Sequence, residues 1–273
     1  MQVGPLKVGI VGFGVIGQMV VAALDGPDAL EGLELAGLTV RDPAKAAPAL
    51  ARLTRPAPIL PVNELVASVD VVFDAAVAAA MDEIAPPAIE AGKIFITMNS
   101  GALLARPELF RRAEETGARI MVPSGGIVGF DGLRALARAG FDSVTLISRK
   151  PPESLADAPH VVAQGYDLSS LSEAMLIFEG NAAEAARAFP ANANVAATLS
   201  LATLGPEGTQ VQMWADPHVT SLYQEIHVNS PAAKLQIKVE SQKMPDNPRT
   251  GSLTPLSAIS MLASLASRNR IGS

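Results

Sequence analysis

The chain opens with an apolar run at residues 6–11 that gives way to a glycine-punctuated stretch and then to a long apolar segment rich in Val and Ala. Short β-rich runs recur at 33–40, 69–75, 93–98 and 118–122, and longer stretches of helical character lie between them at 44–53, 80–91 and 107–116. Strands alternating with helices predict a parallel sheet covered on both faces, a doubly wound α/β domain over residues 1–123. Pro48 and the pair Pro86-Pro87 fall inside two of the helical stretches, where a later start or a kink is expected.

Beyond Pro123 the pattern changes. Strand-like runs at 143–148, 175–178, 210–214, 222–228 and 233–239 follow, with few helices between the last three and helical spacing at 182–189 and 195–204. This succession predicts an α+β domain over 124–252 built on a mostly antiparallel sheet. A last helix is expected over 253–268, where Leu253, Leu256, Ile259, Leu262 and Leu265 recur at amphipathic spacing, and it is expected to pack back on the first domain.

Composition narrows the chemistry. Of the 273 residues 49% are hydrophobic but only 4% aromatic, so the core must be made of Ala, Val, Leu and Ile. With 21 Lys and Arg against 27 Asp and Glu, the net charge of −6 and the lack of a clustered basic stripe argue against a nucleic-acid partner. The absence of cysteine excludes disulfides, thiolate zinc sites and a cysteine nucleophile, and His160, His218 and His227 are too few for a histidine-rich metal site. No apolar run reaches the ~18 residues that cross a bilayer, and the start has no basic region followed by a cleavable apolar segment. A cytoplasmic protein is the expectation.

The first turn carries the strongest chemical signal. Gly12, Gly14 and Gly17 stand in G-x-G-x-x-G spacing between the first strand and the first helix. That arrangement holds a pyrophosphate: one glycine for the tight turn, one for close approach of the backbone, one for helix–strand packing. The N–H groups that open the helix, at Val15 and Ile16, then meet the anion. At the end of the second strand an acidic residue would bind a ribose 2′-hydroxyl and an arginine a 2′-phosphate. Arg41 and Asp42 offer both, so NAD and NADP are both expected to be accepted, with Arg41 favouring NADP.

Four further clusters have a structural and a functional reading. The glycines of residues 123–132 are an interdomain hinge or a loop bordering the cofactor. Asn192 and Asn194, before a helical run, are helix caps or partners for a carboxamide. Asn247-Pro248-Arg249-Thr250, before the last helix, has the same two readings and adds a cation, and Arg149-Lys150, at a strand end, is a solvated terminus or a carboxylate site.

Taken in order, these blocks resemble the aspartate dehydrogenase family, two-domain NAD(P)-dependent enzymes that oxidise aspartate to iminoaspartate. The resemblance runs over nearly the whole chain. It rests on the glycine fingerprint, residues 123–133, Arg149-Lys150-Pro151-Pro152, residues 178–186, residues 189–197, Ala215-Asp216-Pro217 and Asn247-Pro248-Arg249-Thr250. It implies that the backbone at Gly126, where alanine is commoner, and the side chain of Asn194 contact the nicotinamide cofactor, and that the protein is a homodimer. An antiparallel sheet with an uncovered apolar face would also tend to pair. The family places its catalytic histidine eight residues beyond the Asp-Pro aspartate, and here that position is Gln224.

A glutamine amide orients groups but does not carry a proton near neutrality, as imidazole does. The proton would then come from His218 in the preceding turn, from Tyr223, from Lys150 or from a bound water. His227 lies an odd number of residues from Gln224 and should point to the other face of a strand. The primary expectation is hydride transfer at the carbon–nitrogen bond of a small carboxylated substrate, with Gln224 at the catalytic position. The alternatives are a reductase of another imine or 2-keto acid and a non-catalytic NAD(P)-binding protein.

Overall fold

The structure is a computed structural model that describes residues 4–244, 247–269 and 271, without the side chains of Pro248 and Arg249. The cation expected from Arg249 therefore lies outside what is described. The chain forms two compact units, one made of residues 1–123 and 255–273 and the other of residues 124–254.

In the first unit β1 (Leu6–Val11), α1 (Val15–Leu24), β2 (Leu33–Thr39), α2 (Pro43–Leu50), α3 (Val62–Ser68), β3 (Val71–Asp74), α4 (Met81–Glu90), β4 (Ile94–Thr97), α5 (Ser100–Leu104), α6 (Glu108–Thr116) and β5 (Arg119–Met121) follow one another. The five strands form one sheet in the order β2-β1-β3-β4-β5, parallel throughout. Val8, Ile10, Val71, Phe73 and Ile96 are fully buried in it, which is why these strands read as continuous apolar runs. Helix α2 starts at Pro43, capped by Asp42, and ends at Leu50, three residues before the expected end at 53. Pro86 and Pro87 sit inside α4, which follows one tight turn at Ala78–Ala80.

The second unit contains α7 (Phe130–Leu136), β6 (Ser143–Lys150), α8 (Pro159–Gln164), β7 (Met175–Asn181), α9 (Ala182–Ala188), α10 (Ala193–Ala202), α11 (Gly205–Gly208), β8 (Thr209–Ala215), β9 (Leu222–Asn229), β10 (Lys234–Ser241) and a short ribbon of β11 (Lys243–Met244) and β12 (Asn247–Gly251). Its main sheet has the order β10-β9-β6-β8-β7. Every neighbouring pair is antiparallel except β6 and β8. The inner face packs Val144, Leu146, Val211, Ile226 and Val228 against Leu133, Ala185, Ala196 and Leu199 from the helices. The outer face is not the apolar surface expected from the sequence. It carries Thr145, Ile147, Arg149, Gln212, Trp214, Tyr223, Glu225, His227 and Gln236 in register, a mixed surface of charged, amide, aromatic and aliphatic side chains, because alternate residues of strands that cover one core point away from it.

Helix α12 (Leu253–Ala266) ends the fold, and its Ala258 and Leu262 are buried in the core of the first unit beside Val20, Leu24 and Leu33.

Candidate active site

Between β1 and α1, Gly12 adopts φ +93°, and a Cβ there would lie 2.6 Å from the backbone of Ala75 and Ala76 at the exit of β3. Only glycine satisfies both demands. A side chain at Gly17 would run into the carbonyl oxygen of Gly12. Gly14 differs: nothing lies within 4 Å of where its Cβ would stand, and it forms the N-cap of α1 without any side-chain cap. The first helical bond belongs to Gln18, whose N–H donates to the Gly14 carbonyl at 2.9 Å. The N–H groups of Val15, Ile16 and Gly17 are therefore left for a ligand at the positive end of the helix. Bare backbone, open space and unspoken-for donors fit the pyrophosphate of a dinucleotide.

The strand exits beside this turn are pinned by a residue the sequence did not signal. Asp74, fully buried at the end of β3, accepts from the Ala76 N–H at 2.9 Å, Thr97 Oγ1 at 2.7 Å and Asn99 Nδ2 at 2.9 Å. Burial pushes its carboxyl above the usual range, against the lowering effect of those donors. At the end of β2 the two candidates for ribose recognition have separate duties. The Asp42 carboxylate accepts the Lys45 N–H at 3.1 Å as the cap of α2. Arg41 is exposed and makes no ion pair among the described residues.

In the second unit the inner face of the sheet changes character along its length. Val144 faces Val228, Leu146 faces Ile226, and Ser148 faces Gln224. Lys150 follows Ser148 on the same face, beside Ala215 of β8. An apolar floor thus turns polar at the carboxyl end of β6. Gln224 is 5% exposed, and its Oε1 is buried with no hydrogen-bond partner among the described residues. Lys150 is pushed down to about 8, first by burial and then by the charge of Lys243 on β11. The β11–β12 ribbon crosses this end closely, for a Cβ on Gly251 would stand 2.5 Å from Ser241 Oγ and 3.3 Å from Leu222 Cδ1.

Strand alternation divides the Arg149-Lys150 pair between the two faces. The Arg149 guanidinium lies on the outer face, 4.8 Å over the Trp214 ring and 3.4 Å from Asp216 Oδ2. Tyr223 and His227 share that outer face. The Tyr223 hydroxyl donates to Glu225 Oε2 at 2.7 Å, and His227 Nε2 and Gln236 Nε2 meet Glu225 Oε1 at 2.6 Å and 2.7 Å. These contacts, that of His227 foremost, hold the Glu225 carboxyl down to about 2. His218 stands in the turn after β8 with 67% of its side chain exposed, 3.8 Å from Glu173 Oε2.

Gly126 leaves room for an alanine, since its Cβ would meet Val195 Cγ2 at an ordinary 3.7 Å. Asn194 is the second residue of α10, and its carbonyl accepts the Thr198 hydroxyl at 2.8 Å. Asn192 holds the N-cap position of α10 without a side-chain capping bond. A side-chain cap is made one helix earlier, where Asn181 forms a reciprocal capping box with Glu184 at the start of α9. Among the described residues there is no group of three or more acidic or histidine side chains able to hold a metal, and no helix is long and apolar enough to cross a membrane.

Comparison with known proteins agrees with this geometry. The family described as "Aspartate dehydrogenase, C-terminal" matches residues 131–265, and that described as "Homoserine dehydrogenase, NAD binding domain" matches residues 12–123. L-aspartate dehydrogenase 3 of Bordetella bronchiseptica is 39% identical over 98% of this chain and 97% of its own length. L-aspartate dehydrogenase of Methanosarcina barkeri is 41% identical over 98% of this chain and 99% of its own. The crystal structure of aspartate dehydrogenase from Thermotoga maritima superposes with a TM-score of 0.72 at 24% identity, covering 98% of this chain and 99% of that one, which shows the shared fold. The parallel-sheet unit with its glycine turn, the mixed-sheet unit that follows it, and this full-length kinship establish that the chain belongs to the aspartate dehydrogenase family.

Proposed function

We propose that the protein oxidises L-aspartate, or a close amino dicarboxylate, at its carbon–nitrogen bond with NADP or NAD as hydride acceptor. The observation that carries this is the open backbone at Gly14 before α1, in a chain akin over its whole length to L-aspartate dehydrogenases. The nicotinamide, when bound, takes the hydride from the substrate carbon. Gly12, Gly14, Val15, Ile16 and Gly17 hold the pyrophosphate through backbone N–H groups, and Arg41 meets a 2′-phosphate. Gly126, through its backbone, and Asn194, through its amide, are the nicotinamide contacts. Gln224 occupies the catalytic position and orients the substrate nitrogen through its buried Oε1. His218, exposed beside Glu173, has the weaker claim to proton transfer. The first unit serves the nucleotide and the second the substrate and subunit association.

Reduced-nicotinamide absorbance, followed with L-aspartate and each oxidised nucleotide, tests the assignment. Turnover that favours NADP is expected, and no turnover with aspartate, nor with oxaloacetate plus ammonia, overturns it. A second reading is favoured by Gln224 itself: an amide where the family has a proton carrier suits reduction of another imine or a 2-keto acid. Ammonia-independent reduction of an oxo acid would establish that reading. Tight nucleotide binding without any turnover would mark a non-catalytic binding protein.

Two further expectations complete the proposal. A homodimer formed through the outer face of the second unit's sheet would cover Trp214 and Tyr223, and a cytoplasmic location suits an enzyme of a soluble nucleotide.

A further inference from the structure

We propose that Lys150 is the catalytic residue that exchanges the proton with water and with the departing nitrogen, the task for which Gln224 lacks the chemistry; this rests on the amino-acid oxidation proposed above. Ser148 and Gln224 are directly opposed across β6 and β9, and Lys150 is the next inward residue of β6. It stands on the polar end of the same face that presents the unpartnered Oε1 of Gln224. The other groups considered for this proton are elsewhere: Tyr223 and His227 are committed to Glu225 on the outer face, and His218 is exposed in its turn.

The charges around Lys150 leave it available. Lys243 of β11 is the charged group that bears on it, and it repels. Asp216 is close along the chain, its N–H donating to the Lys150 carbonyl at 2.9 Å, but its carboxylate is turned to Arg149 and to the N–H of His218. With no acid paired to it among the described residues, the amine is held near 8, where its neutral form is populated close to neutrality and can act as a base.

The step balances without another reactant. After hydride has left the substrate carbon, water adds to the resulting iminium as neutral Lys150 takes one of its protons, giving a carbinolamine and a lysine ammonium. The ammonium returns that proton to nitrogen as the carbon–nitrogen bond breaks, the carbinolamine hydroxyl becomes the carbonyl, and the second proton is lost to the nitrogen, giving the oxo acid and ammonium ion. Gln224 Oε1 accepts an N–H of the substrate nitrogen and holds it beside the amine.

The test uses the full chain and its K150M and K150R variants in stopped-flow single turnover and in steady state with L-aspartate. Burst formation of reduced nucleotide is expected within a few-fold of wild type in both variants. Steady-state ammonia release should fall about 10²- to 10⁴-fold, and the limb of kcat rising through about pH 8 should vanish. A lysine that only binds a carboxylate would give the opposite split: K150R near wild type in kcat, K150M raised chiefly in KM. That result, or an unchanged pH profile in either variant, overturns the proposal. Thermal melts report folding independently of activity. A wild-type chain that forms no reduced nucleotide from aspartate removes the functional reading, and the lysine assignment falls with it, whereas active wild type beside equally active variants removes the lysine assignment alone.

Discussion

Lys150 and Glu225 show how burial and hydrogen bonding set opposite titrations on the two faces of one sheet. The lysine is lowered from 10.5 to about 8, so the unfolded chain binds the extra proton between those values and stability rises with pH across that window. K150M should accordingly melt higher than wild type at neutral pH, with the advantage narrowing as pH climbs from about 8 towards 10.5. Glu225 has the reverse sign: lowered from 4.5 to about 2, it contributes stability above 4.5 that is lost as pH falls towards 2. Calorimetry of E225Q should therefore show a weaker acid dependence than wild type in that interval. At the nucleotide turn, Arg41→Ala should raise KM for NADP by about tenfold and leave KM for NAD nearly unchanged, the size expected for loss of one charge-assisted hydrogen bond of about 1.5–3 kcal/mol, partly screened at an exposed site.

At the level of elements, local capping chemistry sorts the asparagines of the second unit. Asn181 and Glu184 satisfy each other's backbone N–H groups at the start of α9 at 2.9 Å each, so Asn181→Ala should lower stability by about 0.5–2 kcal/mol in urea titration. The sequence pattern pointed instead to Asn192 and Asn194, because a helical run follows them and because Asn181 lies at the end of a strand, where capping is harder to suspect. Long strands and helices were legible from their periodicity. The separation of His227 from Gln224 followed from strand alternation alone, since a period of two needs no tertiary information. Helices α3, α5, α7 and α8 were not legible: five to seven residues with one or two buried positions, such as Leu65 and Val66 in α3, hold too little periodicity to read, and α7 begins inside the glycine cluster that reads as a loop. Nor could the role of Asp74 be read, because what gathers Thr97 and Asn99 around it is the adjacency of β3 and β4 in the sheet.

For the whole molecule, the glycine turn and the order of the sequence blocks were visible along the chain, whereas the character of the outer sheet face was not. That face follows from the combination of strand order and phase, and it joins Arg149, Trp214 and Tyr223 from three strands into a cation–aromatic cluster, with Lys238 5.1 Å over Tyr223. Sedimentation equilibrium is expected to give a dimer, and Trp214→Glu to shift it towards the monomer. A monomeric wild type would assign the cluster to stability of the sheet itself.

The phase of β6 has a consequence for how this protein can change. Deleting one residue from the middle of that strand would carry the guanidinium of Arg149 to the inward side and send the amine of Lys150 out to water. A guanidinium stays ionised at any physiological acidity, so the exchange would install a permanent cation where a reversible one stands. Descendants of this sequence should therefore vary β6 by substitution at constant length, and gain or lose residues in the turns on either side.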